Sequence, residues 1–160
     1  MMSHPLRIMR AALPLVFALV LAQPVTAEPV ITEFLAANTK INADNDGVFS
    51  DWIEIFNPGT NSVDLDGYFL TDNPSDLQKW QFPEVKLDPQ CFVIVFASEK
   101  NRSKLNNPLH TNFRLKSNGG YLALVLADGA TVSSTLGPNY PSLAPGVSYG
   151  RPPRTGATWT

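Results

Sequence analysis

The chain has 160 residues, 44% of them hydrophobic and 16% charged, with a formal net charge of −2. That is enough chain to bury one core, and the slightly acidic balance argues against general nucleic-acid binding. Cys91 is the only cysteine, which excludes an intrachain disulfide and any Cys-x-x-Cys metal or redox pair.

Residues 1–27 stand apart from the rest. Arg7 and Arg10 precede an apolar run from Ala11 to Ala22, and Pro24 and Ala27 follow it. This order predicts a signal peptide cleaved after Ala27 and a product that is secreted, periplasmic or on the cell surface. The run is about a dozen residues, short of the ~20 that span a bilayer, and no transmembrane segment is expected after its removal. The remaining chain carries ten basic and fourteen acidic residues, unevenly spread. Residues 28–76 hold ten acids and one base (Lys40), and residues 77–160 hold four acids and nine bases. Such asymmetry marks two partner surfaces unless interleaved strands mix the charges.

In chain order, β-branched and aromatic runs predict strands at 30–36, 51–56, 63–71, 79–82, 91–97, 111–115, 121–126 and 131–134. Turn dipeptides punctuate them: Asp46-Gly47, Pro58-Gly59, Asp66-Gly67 and Asp128-Gly129. Asn118-Gly119-Gly120 reads as a hairpin connection. Two longer loops interrupt the pattern, an acidic one at 37–50 and a basic, asparagine-rich one at 98–110. No window of ten or more residues after residue 27 has a helical period. Seven or eight short strands argue for an all-β sandwich or barrel. Trp52, Phe56, Tyr68, Trp80 and Phe82 are expected in its core, with Cys91 as a small buried hydrophobe. The strands at 91–97 and 121–127 are apolar on both faces, so either a cover such as the 98–110 loop, the favoured reading, or a partner or neighbouring domain is expected over them. Residues 152–160 read as a proline-rich tail or linker, leaving 28–151 as the domain.

Candidate chemistry is sparse. Gly146-Val147-Ser148-Tyr149-Gly150 fits a nucleophile-elbow pattern, but no histidine follows it and no helix is in sight, so the match is coincidental. Asn42-Ala43-Asp44-Asn45-Asp46-Gly47 resembles the front of a calcium loop. It starts on Asn rather than Asp, however, and its twelfth position is Ile53 where a bidentate Glu belongs, so a plain acidic turn is expected. His110 is the only histidine after residue 27 and reads as a structural loop residue. The pairs Asp51/Glu54 and Asp64/Asp66 are close in sequence but read as ordinary strand and turn acids. No catalytic residue, metal ligand or cofactor is expected. Lys100, Arg102, Lys104, Arg114 and Lys116 hold half of the basic residues left after residue 27. They form the candidate surface for an anionic partner, a polymer or lipid headgroup, with nucleic acid disfavoured. Asn101-Arg102-Ser103 is also a glycosylation sequon.

An ordered set of short motifs carries a resemblance. Ile31-Thr32-Glu33-Phe34 is followed by Ser50-Asp51-Trp52-Ile53-Glu54-Ile55 and Leu65-Asp66-Gly67-Tyr68-Phe69-Leu70-Thr71-Asp72. Lys79-Trp80-Gln81-Phe82-Pro83, Val93-Ile94-Val95-Phe96-Ala97-Ser98 and Leu109-His110-Thr111-Asn112-Phe113-Arg114-Leu115 come next. Gly119-Gly120-Tyr121-Leu122-Ala123-Leu124 and Val147-Ser148-Tyr149-Gly150-Arg151 complete the order. Over residues 30–151 the chain resembles lamin-tail domains in their secreted bacterial form. It departs at Leu87-Asp88-Pro89-Gln90, where members usually carry a glycine. The resemblance implies an immunoglobulin-like β-sandwich of about seven to eight strands with Greek-key type connections. It also implies a non-catalytic binding or scaffolding module, with a protein or cell-surface partner. The alternative is an N-terminal accessory domain of a secreted carboxylate- or metal-dependent hydrolase whose catalytic part lies elsewhere.

Overall fold

The computed structural model describes residues 28–104, 106–152 and 159–160. The expected signal peptide, and most of the expected tail, lie outside them. Within them the chain is all-β, without a helix. The strands are β1 (Val30–Leu35), β2 (Asp51–Phe56), β3 (Val63–Asp64), β4 (Phe69–Thr71), β5 (Trp80–Gln81) and β6 (Lys86–Leu87). They continue as β7 (Phe92–Ala97), β8 (Leu109–His110), β9 (Gly120–Val125), β10 (Val132–Tyr140) and β11 (Tyr149–Gly150). A five-stranded sheet ordered β11-β1-β2-β7-β8 faces a four-stranded sheet ordered β10-β9-β4-β5, and β3 pairs with β6. Because β7 pairs with β2 and β9 with β4, the chain passes repeatedly between layers. This is the immunoglobulin-like sandwich that the motifs imply.

Period-two alternation fills the space between the sheets. Ile31 and Phe34 of β1, Ile53 and Ile55 of β2, and Val95 and Ala97 of β7 meet Leu70, Trp80, Leu122, Leu124, Leu136 and Tyr140 from the other layer. Full burial of one large side chain of this kind stabilises by roughly 1.5–3 kcal/mol. Trp80 and Phe82 lie in this core and Tyr68 packs at its edge. Trp52 and Phe56 are core residues of a second kind. They are buried, but on the outer face of β2, where Trp52 clusters with Leu35 and Phe96 and Phe56 packs on Phe92 with ring centroids 4.6 Å apart. Even-numbered residues of β2 simply point the other way.

Four expectations are corrected. The run 63–71 is two strands, because Tyr68 N–H bonds to the Leu65 carbonyl and Gly67 takes φ +79°, so β3 leaves with β6 while β4 joins β9 and β5. Residues 111–115 form no strand: the Thr111 hydroxyl donates to the Phe113 carbonyl and Asn112 reaches across to the Lys79 carbonyl. With no strand before it, the Asn118-Gly119-Gly120 turn is not a hairpin. Cys91 is exposed, because its N–H closes a turn on Asp88 and β7 starts one residue later. In that turn Gln90 takes φ +58°, the left-handed geometry that glycine adopts without strain.

The 98–110 loop does lie against the sheet. Arg102 and His110 exchange backbone hydrogen bonds of 2.9 Å, and the buried His110 ring stacks on Phe96 at 5.2 Å. It covers only that end of β7; Phe92 at the other end is 47% exposed. On β9, Ala123 and Val125 are buried, with cross-strand partners on β4 and β10. The chain's last two residues also return to the sheet. Thr160 and Gly150 exchange backbone hydrogen bonds of 3.0 and 2.8 Å, and Trp159 stacks on Tyr149 at 5.6 Å.

Candidate binding surface

The five basic residues singled out in the sequence do not act together. Lys100 is turned into the acidic loop, its ammonium 2.5 Å from Asp44 Oδ2 and 2.6 Å from Asp46 Oδ2. Arg102 Nη1 lies 2.9 Å from the same Asp46 carboxylate. The Asp44 side chain is fully buried. Its Oδ1 accepts from the amides of Asp46 and Val48 at 2.9 and 3.1 Å, and its Oδ2 also accepts from the Ser50 hydroxyl at 2.6 Å. Burial alone would raise this carboxyl; the Lys100 ammonium, the Ser50 hydroxyl and the two amides outweigh it and hold the carboxyl well below the usual range.

His110 completes this clasp. Its Nε2 lies 3.0 Å from Asn45 Oδ1 and its Nδ1 2.9 Å from Ser98 Oγ. A carbonyl oxygen can only accept, so Nε2 carries the proton and Nδ1 accepts from the serine hydroxyl. Burial, reinforced by the Lys100 charge, lowers the imidazole pKa and keeps the ring neutral. The expected structural role of His110 is the one its contacts describe. The same contacts occupy the calcium-like loop. Lys100 supplies the positive charge that a hard cation would bring, and the Asp44 oxygens are already filled by donors. Among the described residues no group of three or more His, Cys, Asp or Glu side chains is placed to hold a metal.

Arg114 and Lys116 go elsewhere. With Lys79 they line a cleft of about 400 Å³ whose walls include Asp72, Tyr121 and Tyr140. Lys79 is paired to Asp72 at 2.6 Å, and Arg114 to Glu99 at 3.0 Å with both side chains largely exposed. Among the described residues Lys116 has no ion pair; its backbone N–H donates to the buried Tyr140 hydroxyl at 3.0 Å. Gly119 closes the rim: at φ +100°, with a Cβ position 2.7 Å from the Tyr140 carbonyl oxygen, no other residue fits. Lys104 is exposed on the loop beside Asn45 and Arg102, away from this cleft.

This cleft is built from segments between Asp72 and Tyr140, and a model of the Lamin Tail Domain family matches residues 22–138. The chain belongs to the lamin tail domain family. No curated protein matches it in sequence. In this lamin tail domain the matched segment runs from β1 into β10, and β11 with the returning Trp159 lies beyond it.

The two sequence-adjacent carboxylate pairs are not constellations. Asp51 and Glu54 fall on opposite faces of β2 by its period of two. Asp51 accepts the Asn38 amide at 2.9 Å at the end of the strand, whereas Glu54 accepts the Thr32 hydroxyl at 2.7 Å on the outer face. Asp64 accepts the Asp66 amide in a turn. Ser148, in the elbow-like pattern, immediately precedes β11 rather than bridging strand to helix. Lys79 was missed in the sequence because it lies 35 residues from Arg114; only the pairing of β4 with β5 and β9 brings these segments together.

Proposed function

We propose that this lamin tail domain is a non-catalytic binding module of an exported protein, and that the Lys79–Arg114–Lys116 cleft receives a carboxylated or phosphorylated partner. The observation that carries the reading is the division of the basic cluster. Lys100 and Arg102 are spent on the chain's own acids, whereas Lys116 has no ion pair among the described residues and Arg114 only a solvent-exposed one. An exposed pair contributes little, so an incoming anion displaces Glu99 at small cost. The apolar stretch before Ala27, with Arg7 and Arg10 ahead of it, supports export and hence a polymer or headgroup at the cell surface.

The test is retention by polygalacturonate and by phosphatidylglycerol vesicles, each measured against salt. Binding weakens as ionic strength rises, because screening shortens the reach of exposed charges to about 8 Å at 0.15 M. Arg114→Glu with Lys116→Glu abolishes it, and whichever probe loses binding identifies the source of the anion. Equal binding by parent and variant to both probes, with the same salt dependence, refutes the reading.

A further inference from the structure

The outer face of the β1-β2-β7 sheet is left unfinished by the chain's own residues. Strand register arranges it in three rows: Val30, Phe56 and Phe92; Glu33, Glu54 and Ile94; Leu35, Trp52 and Phe96. A bulge between Ile31 and Glu33 sets Thr32 and Glu33 together against Glu54. Glu33 and Glu54 are direct cross-strand partners, and like charges in that relation destabilise a sheet. Asp44, Asp46, Asp72 and Glu99 all have a lysine or arginine; neither Glu33 nor Glu54 has one among the described residues. Burial raises the Glu54 carboxyl, as does the neighbouring Glu33 charge, against a single hydrogen bond from Thr32.

An apolar border sits on the same face. Phe92 is 47% exposed, and Val30 and Ile94 are half-buried beside the carboxylates. An uncompensated carboxylate pair and an exposed aromatic thus share one patch. Both are relieved by a cation arriving between apolar groups.

We propose that this face docks a protein segment carrying one lysine or arginine flanked by apolar side chains. The cation lies on Glu33 and Glu54, one flank packs on Phe92, and the other packs on Ile94 towards Trp52. A second copy of the chain does not fit this role, since a twofold contact would set the same carboxylates against each other. An anionic polymer or headgroup is repelled here. The inference shares with the proposed function only that the domain binds; the cleft with Lys116 is a different site.

The experiment is selection of random heptapeptides displayed on phage against the immobilised chain of residues 28–160, with counter-screens on two folded variants. Enriched peptides are expected to hold a Lys or Arg between apolar residues. They lose at least tenfold in binding to Glu33→Gln with Glu54→Gln, and keep binding to Arg114→Glu with Lys116→Glu. Phe92→Ser weakens them as well. Enriched peptides that lack a basic residue, or that bind the Glu33→Gln with Glu54→Gln variant as tightly as the parent, overturn the proposal. That variant also reports on the premise by itself. Relief of an uncompensated pair raises its melting temperature in the absence of peptide, and a fall would mean that the two carboxylates stabilise the sheet and await no partner.

Discussion

Replacing Lys100 with methionine tests whether the clasp holds the 37–50 loop to the sandwich. Methionine keeps most of the apolar stem and removes the ammonium, so two charge-assisted bonds of 2.5 and 2.6 Å disappear. Removing one member of a buried pair typically costs 3–5 kcal/mol. Asp44, however, keeps the amides of Asp46 and Val48 and the Ser50 hydroxyl, and the Lys100 side chain is 21% exposed. The expected loss is therefore about 2–3 kcal/mol, or a melting temperature lower by about 8–12 °C for a domain of this size. A double-mutant cycle with Asp44→Asn isolates the pair and should give a coupling above ~1 kcal/mol. The pH dependence adds a second check. The folded Asp44 carboxyl lies below its unfolded value, so its stabilisation is complete above about pH 4 and declines as pH falls. The groups facing it are Lys100, Arg102, Asp46 and His110, and of these Asp46 and His110, both lowered from their ordinary values, also take up protons on the acid side. Lys100→Met should flatten this acid limb. A variant within 2 °C of the parent (~0.5 kcal/mol), or a coupling near zero, refutes the view that the clasp organises the loop.

Three other outcomes follow from single contacts. Millimolar calcium should leave the thermal midpoint of the chain unchanged, because a native-state ligand must raise it and Lys100 already neutralises the loop; a rise of several degrees would reinstate a cation site. Gly119→Ala should cost more than ~2 kcal/mol, since the new Cβ meets the Tyr140 carbonyl oxygen at 2.7 Å at φ +100°; denaturant unfolding with unchanged slope is the measure. Asp51→Ala should destabilise by about 1–3 kcal/mol, because the carboxylate accepts the Asn38 backbone N–H, which would be orphaned. Asp51→Asn should recover part of this. Burial raises the folded Asp51 carboxyl above its unfolded value, so protonation favours the native state. The parent therefore gains stability from Asp51 as pH falls, and loss of that gain in Asp51→Asn, followed by melting temperature, checks the assignment.

The sandwich was legible because its information is local. The β-branched and aromatic runs in Asp51–Phe56 and Phe92–Ala97 need no partner to be read, and the turns at Gly47, Gly67 and Gly129 all take the positive φ that their Asp-Gly dipeptides announce. Which face of a strand is the core is not local. Trp52 and Ile53 are equally apolar, and only the presence of a second sheet on one side decides that Ile53 meets it while Trp52 packs against Leu35 and Phe96. The segment at 111–115 had strand composition, but the Thr111 and Asn112 side chains took backbone partners that a ladder would have used. The basic cluster failed as a unit for the same reason. Lys100 and Asp44 are 56 residues apart, and nothing in their separate neighbourhoods signals that one neutralises the other.

The split between an acidic first part and a basic second part acquires a physical meaning once these pairs are removed from the account. Asp44, Asp46, Lys100 and Arg102 cancel within the clasp, and Asp72 offsets Lys79. Among the charges without a buried partner, those on the two proposed surfaces lie apart. Glu33 and Glu54 belong to β1 and β2, adjacent in the five-stranded sheet, and have no base among their cross-strand partners. Lys116 and Arg114 belong to the segment that leads into β9 of the other sheet and shares a cleft with β10. Folding thus cancels the charges of the clasp and leaves the β1-β2 carboxylates apart from the bases that precede β9. A domain with ten basic and fourteen acidic residues then presents one negative, partly apolar face and one positive cleft. The two surfaces select partners of opposite character, so charge reversal at either should abolish one interaction and spare the other. Loss of both from Lys116→Glu alone would mean that a single surface does the binding and that the segregation has no functional consequence.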